Sequence, residues 1–317
     1  MKTRTLREQL WWPWLKRTGL GLFLLLVAYL LSLMARQIAW AEVISTLMRY
    51  PTHVVLTAAG LAVASLLLYS CFDLLGRRYT GHRLCTDQVM AVTFISYVFN
   101  LNLGSLIGGI AFRYRLYTRL GLNYGVITRI ISLSLLTNWL GYVLIAGLMF
   151  CINPLELPAN WRINTAGLHG VGAVLLALGA AYLLLCARSK RRTYCLRGQQ
   201  LSLPNFGLAC LQAVMGMSNW LIMSTCIFML MPASVSLIDV ATTMLLAVVA
   251  GFVTHVPGNL GVLEAVFVVT LSQQAPAHQL LAALVAYRLL YYWVPLVAAA
   301  TVYLRTEAKA NLVVPLK

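Results

Sequence analysis

Apolar runs of about twenty residues, long enough to cross a bilayer as helix, recur along this 317-residue chain. They cover about 18–35, 53–75, 128–151, 166–187, 206–231 and 280–304. Two further runs, 90–110 and 241–271, are just as apolar but are interrupted in the middle. The first breaks at Asn100-Leu-Asn-Leu-Gly104 and again at Gly108-Gly109; the second breaks at His255-Val-Pro-Gly-Asn-Leu-Gly261. Unpaired backbone N–H and C=O groups are costly in hydrocarbon, so broken helices persist only where they are buried in protein or line a wet cavity. A matched pair of such segments points to the ligand site of a transporter. The pattern therefore predicts an all-α polytopic membrane protein, a single integral membrane domain over 1–317. It has about six full spans plus two broken or re-entrant hairpins, arranged as an inverted repeat.

Composition agrees with that class and narrows the partners. Hydrophobic residues make up 61% of the chain and charged ones only 10%, against roughly 25% charged in soluble domains; the mean hydropathy is +0.81. The 24 Lys and Arg against 8 Asp and Glu give a net charge of +16. The cations flank the apolar runs and form no basic face interleaved with exposed aromatics, so no nucleic acid is expected. The membrane itself and its anionic lipid surface are the expected partners. The run at 18–35 is too long and too lacking in a small-residue cleavage site for a removed signal peptide, and reads as an anchor. Trp11, Trp12 and Trp14 beside Lys16 and Arg17 read as its interfacial belt, and Trp40 to Tyr50 as an amphipathic stretch on the outer surface. The seven cysteines show no Cys-x-x-Cys spacing and read as small hydrophobes.

Charge also sets an orientation. If each broken segment returns to the side it left, twenty of the 24 cations fall on one face, only Arg36, Arg49 and Arg162 on the other, and Arg288 within a span. The positive-inside rule then places both termini in the cytoplasm, with the first hairpin entering from there and the second from the outer face. Two complete crossings in place of a hairpin fit the charges equally well, so the hairpins rest on the breaks.

Ionisable side chains within apolar runs are the first functional candidates. Glu264 is placed in the second turn of a half-helix starting near Gly258, where Gly258 and Gly261 allow close backbone approach and the helix start favours an anion. Asn259 lies in the same break. Arg288 has the planar fork suited to carboxylate or phosphate, and pairing with Glu264 is the expected arrangement. Tyr287 and Tyr291, with Tyr292, read as headgroup contacts or as interfacial belt. Arg113 and Arg115, with Tyr114 and Tyr117, form a basic-aromatic cluster at the exit of the first broken segment; they read as a phosphate-collecting entrance or a solvated topology signal. Asn100 and Asn102 are polar positions in an apolar run, read as ligand contacts or as satisfied packing groups. His255 stands beside the second break, where an imidazole can relay a proton or simply pack. No nucleotide loop, zinc motif or nucleophile elbow is present, so no cofactor, no metal and no enzyme activity are expected. Gly104-x-x-x-Gly108 and Gly121-x-x-x-Gly125 leave a homo-oligomer open.

Pro257-Gly-Asn-Leu-Gly-Val-Leu-Glu264 resembles the Pro-Gly-Gly-Leu-Gly-x-x-Glu signature of the lysylphosphatidylglycerol synthase transmembrane-region family. Gly108-Gly-x-x-x-Arg113 resembles that family's other motif. Arg113-Tyr-Arg-Leu-Tyr117, Thr137-Asn-Trp-Leu-Gly-Tyr142 and Leu284-Val-Ala-Tyr-Arg-Leu-Leu-Tyr-Tyr292 look like a stand-alone bacterial inner-membrane member of it. Asn259 departs from the signature's second glycine. The resemblance implies the lipid-flipping half of two-part enzymes, without their soluble aminoacyl-transferase half, in a bacterial inner membrane. The expected function is thus a phospholipid translocator or lipid-transport accessory that binds an anionic phospholipid headgroup at a midplane cavity. The alternatives are a non-transporting partner of envelope-lipid transport proteins, or an intramembrane lipid-modifying enzyme using Glu264 and His255.

Overall fold

The computed structural model describes residues 40–152, 165–189, 193–196, 199–254 and 256–313. The expected span at 18–35, its tryptophans, and His255 lie outside the described residues. Helices α1 (Trp40–Met48), α2 (Thr52–Ser70), α3 (Phe72–Thr80) and α4 (Thr86–Leu103) lead into a π-helical segment, Ser105–Ala111, and α5 (Phe112–Arg119). Long helices α6 (Tyr124–Ile152) and α7 (Thr165–Arg188) follow, then a small antiparallel ribbon of β1 (Thr193–Leu196) and β2 (Gln199–Ser202). The second half comprises α8 (Phe206–Phe228), α9 (Leu237–Thr254), α10 (Val262–Leu271), α11 (Ala277–Arg288), a π-helical turn Leu289–Trp293, and α12 (Val294–Val313). The ribbon is the one departure from an all-helical chain among the described residues, and hydropathy gives no sign of it.

Six helices among the described residues are long and apolar enough to cross a membrane: Thr52–Thr80, Tyr124–Ile152, Ala166–Arg188, Phe206–Phe228, Leu237–Thr254 and Ala277–Arg305. Five of these match runs expected from the sequence. The sixth is the first arm of the second broken run, whose 18 residues reach about 27 Å as helix.

Both broken runs fold back on themselves, each return arm packing on the arm before it. In the first, Gly104 adopts φ 87°, ψ 166°, a region essentially open to glycine alone, and turns the chain. The return arm then lies against α4 so closely that a Cβ on Gly108 would sit 2.1 Å from the Asn100 nitrogen. Phe112 stacks on Phe99 with centroids 4.4 Å apart. In the second, Asn259 folds onto Gly251, where a Cβ would sit 2.1 Å from the Asn259 Oδ1. Further along the same hairpin, the Thr243 and Thr270 hydroxyls lie 3.3 Å apart. The order span, hairpin, span thus occurs twice, with the Ala166–Arg188 helix crossing once between the copies. One intervening crossing makes the two copies enter from opposite faces, the arrangement of an inverted repeat.

Close backbone contacts between helices use glycines other than the two Gly-x-x-x-Gly pairs. A Cβ on Gly141 would meet the Gly216 carbonyl carbon at 2.2 Å, so α6 and α8 cross with their backbones in contact. Gly104 and Gly121 instead serve turns, both with φ 87°, and Gly108 packs inside its own hairpin. Helix α1 docks on α11, with Val43 buried against Leu281 and Ala282, and Glu42 pairs with His278 at 3.3 Å.

Candidate functional site: two hairpin tips and their arginines

The two interruptions meet. Gly258, in the left-handed region at φ 63°, packs on the exposed carbonyls at the end of α4: a Cβ there would lie 3.3 Å from the Leu101 oxygen and 3.6 Å from that of Asn102. Asn102 donates its side-chain amide to the Val98 carbonyl at 2.9 Å and reaches the Tyr292 carbonyl at 3.4 Å. The end of the first outward arm is thereby tied to the π-helical turn of the last span. Pro257–Asn259 forms one tight turn and α10 begins only at Val262, capped by Gly261 at φ 77°. Glu264 therefore stands in the first turn of the half-helix, not the second, because three left-handed residues delay its start. Asn259, at φ 50°, is the one non-glycine among the described residues with positive φ. Asparagine tolerates that conformation far better than most residues, which accounts for its place in the signature. Gly258→Ala is expected to destabilise by about 1–2 kcal/mol from the left-handed backbone, read as a lowered unfolding midpoint in detergent; an unchanged midpoint would mean that the tip is not held in this turn.

Arg288 closes the site. Its guanidinium pairs bidentately with Glu264, Nε to Oε1 and a terminal nitrogen to Oε2 at 3.1 Å. It also donates to the carbonyls of Gly258 at 3.0 Å and Asn259 at 2.8 Å. Four of its five N–H donors are thus taken, and the Tyr292 ring lies 5.2 Å from its central carbon. Arg288 is the twelfth residue of the 29-residue Ala277–Arg305 helix, about 17 Å from its start at helical rise. The pair expected from the sequence is present, but Arg288 does not present an open fork, since a buried cation must be matched where it lies. A phosphate can engage it in a forked contact only by displacing Glu264 or one of the carbonyls.

Beside the pair runs a buried chain of hydroxyls. Ser65 donates to the Asn219 amide oxygen at 2.8 Å, so its oxygen accepts from Tyr291 at 2.7 Å, and Tyr291 in turn accepts from Tyr97 at 3.1 Å. Four elements contribute, and the π-helical turn is what carries Tyr291 into line. Tyr287 and Tyr291 are 1% and 0% exposed, which rules out the interfacial belt. The buried Tyr287 hydroxyl finds no partner among the described residues.

Arg113 and Arg115 part company. Arg115 is exposed over the Tyr303 ring. Arg113 is 2% exposed and pairs with the fully buried Asp73 at 3.0 Å. It also reaches the Gly109 carbonyl and the Ser134 hydroxyl, both at 3.3 Å, while Tyr117 donates to the same Asp73 oxygen at 2.9 Å. The cluster expected at the interface is therefore split between a buried ion pair and a surface cation. Asn100 lies along the Gly109 face of the hairpin. Each hairpin is thus tied to a neighbouring span by one buried arginine–carboxylate pair, Arg113 with Asp73 of the first described span and Glu264 with Arg288 of the last, and each arginine also binds a backbone carbonyl of the hairpin's glycine-containing segment. Asp73, Ser65, Tyr97 and Asn219 were not among the sequence candidates. For Asp73 the signal was available, as a carboxylate inside the apolar run 53–75; the hydroxyls and the amide carry none beyond polarity. No group of three or more His, Cys, Asp or Glu among the described residues is placed to hold a metal ion.

Two opposed re-entrant hairpins, meeting tip to tip beside a buried arginine–carboxylate pair within a bundle of membrane-length helices, define a polytopic all-helical membrane protein of inverted-repeat design. Residues 19–299 match the family described as Lysylphosphatidylglycerol synthase TM region, and the chain belongs to that family. It is 43% identical to the inner membrane protein YbhN of Escherichia coli (strain K12) over 301 residues, 95% of each chain. It is 31% identical to the uncharacterized protein slr0712 of Synechocystis sp. over 246 residues, 77% of this chain and 76% of that one.

Proposed function

We propose that this chain binds the headgroup of an anionic phospholipid between the two hairpin tips and carries it from one leaflet to the other, with both termini in the cytoplasm. The observation that supports this reading above the others is the meeting of the two interruptions at Gly258, Leu101 and Asn102, next to Arg288. Left-handed turns, free-ended helices and a buried cation at that point serve no spanning purpose, and their coincidence is what a substrate site of this architecture requires. The headgroup phosphate takes over the Arg288 fork from Glu264, and the neighbouring hydroxyls donate to the remaining oxygens. The lipid tails stay outside the bundle, against apolar side chains such as Val249, Phe252 and Val253 at the end of α9, which are 46%, 66% and 69% exposed.

The test is leaflet exchange of a fluorescent phosphatidylglycerol in liposomes holding the purified protein. Glu264→Gln and Arg288→Lys each alter charged hydrogen bonds worth about 1.5–3 kcal/mol, so exchange is expected to slow at least about tenfold. A zwitterionic phosphatidylcholine probe is expected to move more slowly than the anionic one. Unchanged exchange in both variants, or exchange no faster than in protein-free liposomes, would remove the assignment and favour a binding partner that does not itself transport.

A further inference from the structure

The buried Asp73–Arg113 pair, which joins α3 to the return arm of the first hairpin, has a loose end. Both the Arg113 Nε and the Tyr117 hydroxyl go to one carboxylate oxygen of Asp73, Oδ2. The other, Oδ1, is buried and finds no hydrogen-bond partner among the described residues. A second buried orphan lies close by. His82 accepts the Leu84 N–H on Nδ1 at 3.4 Å, while its Nε2 is buried with no partner among the described residues. The two groups flank Tyr117: its hydroxyl binds Asp73, and its ring centroid is 6.5 Å from that of His82. The Asp73 charge acts on the His82 imidazole. His82 sits in the turn after α3, at the end of the bundle that carries Arg77, Arg78 and Arg83.

We propose that Asp73 is a proton-binding site, reached through His82 from the aqueous face, and that loading it releases the first hairpin. The proton goes onto Oδ1, the oxygen that no donor occupies. The carboxylate becomes a neutral acid, and the Arg113 charge, until then cancelled, is left buried and unpaired. A buried unpaired cation is strongly disfavoured, so Arg113 must move toward water or toward an anion. It also holds the Gly109 carbonyl, so the return arm of the hairpin is freed with it. The titratable and charged neighbours are few. Arg113 and Tyr117 face Asp73 from the first hairpin; Tyr69 from α2 stands near Arg113 and Ser134; His82 follows α3, and Arg77 faces His82. Helix α6 contributes the Ser134 hydroxyl and α4 the Thr93 hydroxyl beside Tyr117. Burial, and after it Arg77, hold the His82 imidazolium below the ordinary histidine range. His82 is therefore neutral near neutral pH, able to pass a proton inward without blocking the route with its own charge. This inference concerns proton binding and hairpin motion, and stands whether or not the lipid reading does.

Two measurements on the full chain in liposomes decide it. Difference infrared spectroscopy between neutral and acidic pH is expected to show a protonated-carboxyl C=O band that is lost in Asp73→Asn. Hydrogen–deuterium exchange over 99–112 is expected to rise as that band grows, and to be high and independent of pH in Asp73→Asn. His82→Gln removes the relay and is expected to slow the appearance of the band after a pH jump several-fold. The double variant Asp73→Asn/Arg113→Gln leaves no buried unpaired charge, so it keeps the experiment open should the single variant fail to fold; its hairpin is expected to be protected and insensitive to pH. A carboxyl band that survives Asp73→Asn, or one that titrates with no change of exchange in 99–112, would overturn the proposal.

Discussion

Gly108→Ala is expected to prevent the first hairpin from closing, whereas Gly109→Ala, one position on, is expected to be tolerated. A Cβ on Gly108 would lie 2.1 Å from the Asn100 nitrogen, 2.2 Å from the Phe99 carbonyl carbon and 2.3 Å from its oxygen, all of them backbone atoms. No rotamer change relieves such an overlap. The arm must move away bodily, and it carries Arg113 and Tyr117 with it. Overpacking in a well-filled core usually costs about 1–3 kcal/mol; here the cost should exceed about 3, because backbone meets backbone. At Gly109 the nearest atoms are the Asn100 Cγ and Oδ1, both at 3.3 Å, and a side chain can give by that much. The cost there should stay below about 1 kcal/mol. Unfolding midpoints in detergent, with yield of monodisperse protein as a second readout, separate the two. Equal effects would mean that the return arm is not seated on Phe99 and Asn100.

The same contrast shows which features the sequence carries. Gly104, Gly108, Pro257, Gly258 and Gly261 interrupt apolar runs, and an interruption in hydrocarbon is legible because its unpaired backbone has no solvent to turn to. Glu264 and Arg288 are legible for the same reason, as charges where charges are costly. Whether a break makes a hairpin or a pair of crossings was not legible, because charge asymmetry is identical for both; the contact of Gly258 with the Leu101 and Asn102 carbonyls, which brings the turns of two opposed hairpins to one depth, is what separates them. The depth of the tyrosines was misplaced for a different reason. Tyr287, Tyr291 and Tyr292 lie in the first half of the apolar run 280–304, and tyrosine near a helix end usually marks the headgroup level. The helix starts earlier, at Ala277, and runs to Arg305, so these rings fall at mid-span, and the π-helical turn rotates Tyr291 inward onto Ser65 and Tyr97. A local change of helical period leaves no pattern that composition can reveal. Asp73 was legible and passed over: the rule that singles out Glu264 applies to it equally.

The pairing of both buried arginines also changes how the site works. An open positive chamber would hold its anion too well to let it go. On the proposed function, cations cancelled by Glu264 and Asp73 become available to an anion only when a carboxylate is displaced or protonated. On that reading, headgroup binding exchanges one anion for another at Arg288, so the guanidinium itself is not left without a counter-charge.

Stability and transport should therefore separate in a double-mutant cycle at Glu264 and Arg288. Glu264→Gln leaves a guanidinium that is 6% exposed without its counter-charge, a change that costs about 3–5 kcal/mol when the pair is fully buried and somewhat less here, since Glu264 is 16% exposed. Arg288→Gln should cost at least as much, because it strands the carboxylate and also removes both donors to the Gly258 and Asn259 carbonyls. The double variant Glu264→Gln/Arg288→Gln buries no charge at all, and two amides can bond to each other. Its loss should fall short of the sum of the single losses by about 2 kcal/mol or more, within the range of coupling for residues in contact. Denaturation in detergent measures that cycle; additive losses would mean that the two side chains do not act as a unit. Lipid exchange should follow a different pattern. Restoring the fold without the cation should not restore exchange, because the headgroup needs the guanidinium and not merely a neutral pair. Full exchange in the double variant would reduce Glu264 and Arg288 to a structural clasp and move the search for the headgroup site to Arg113.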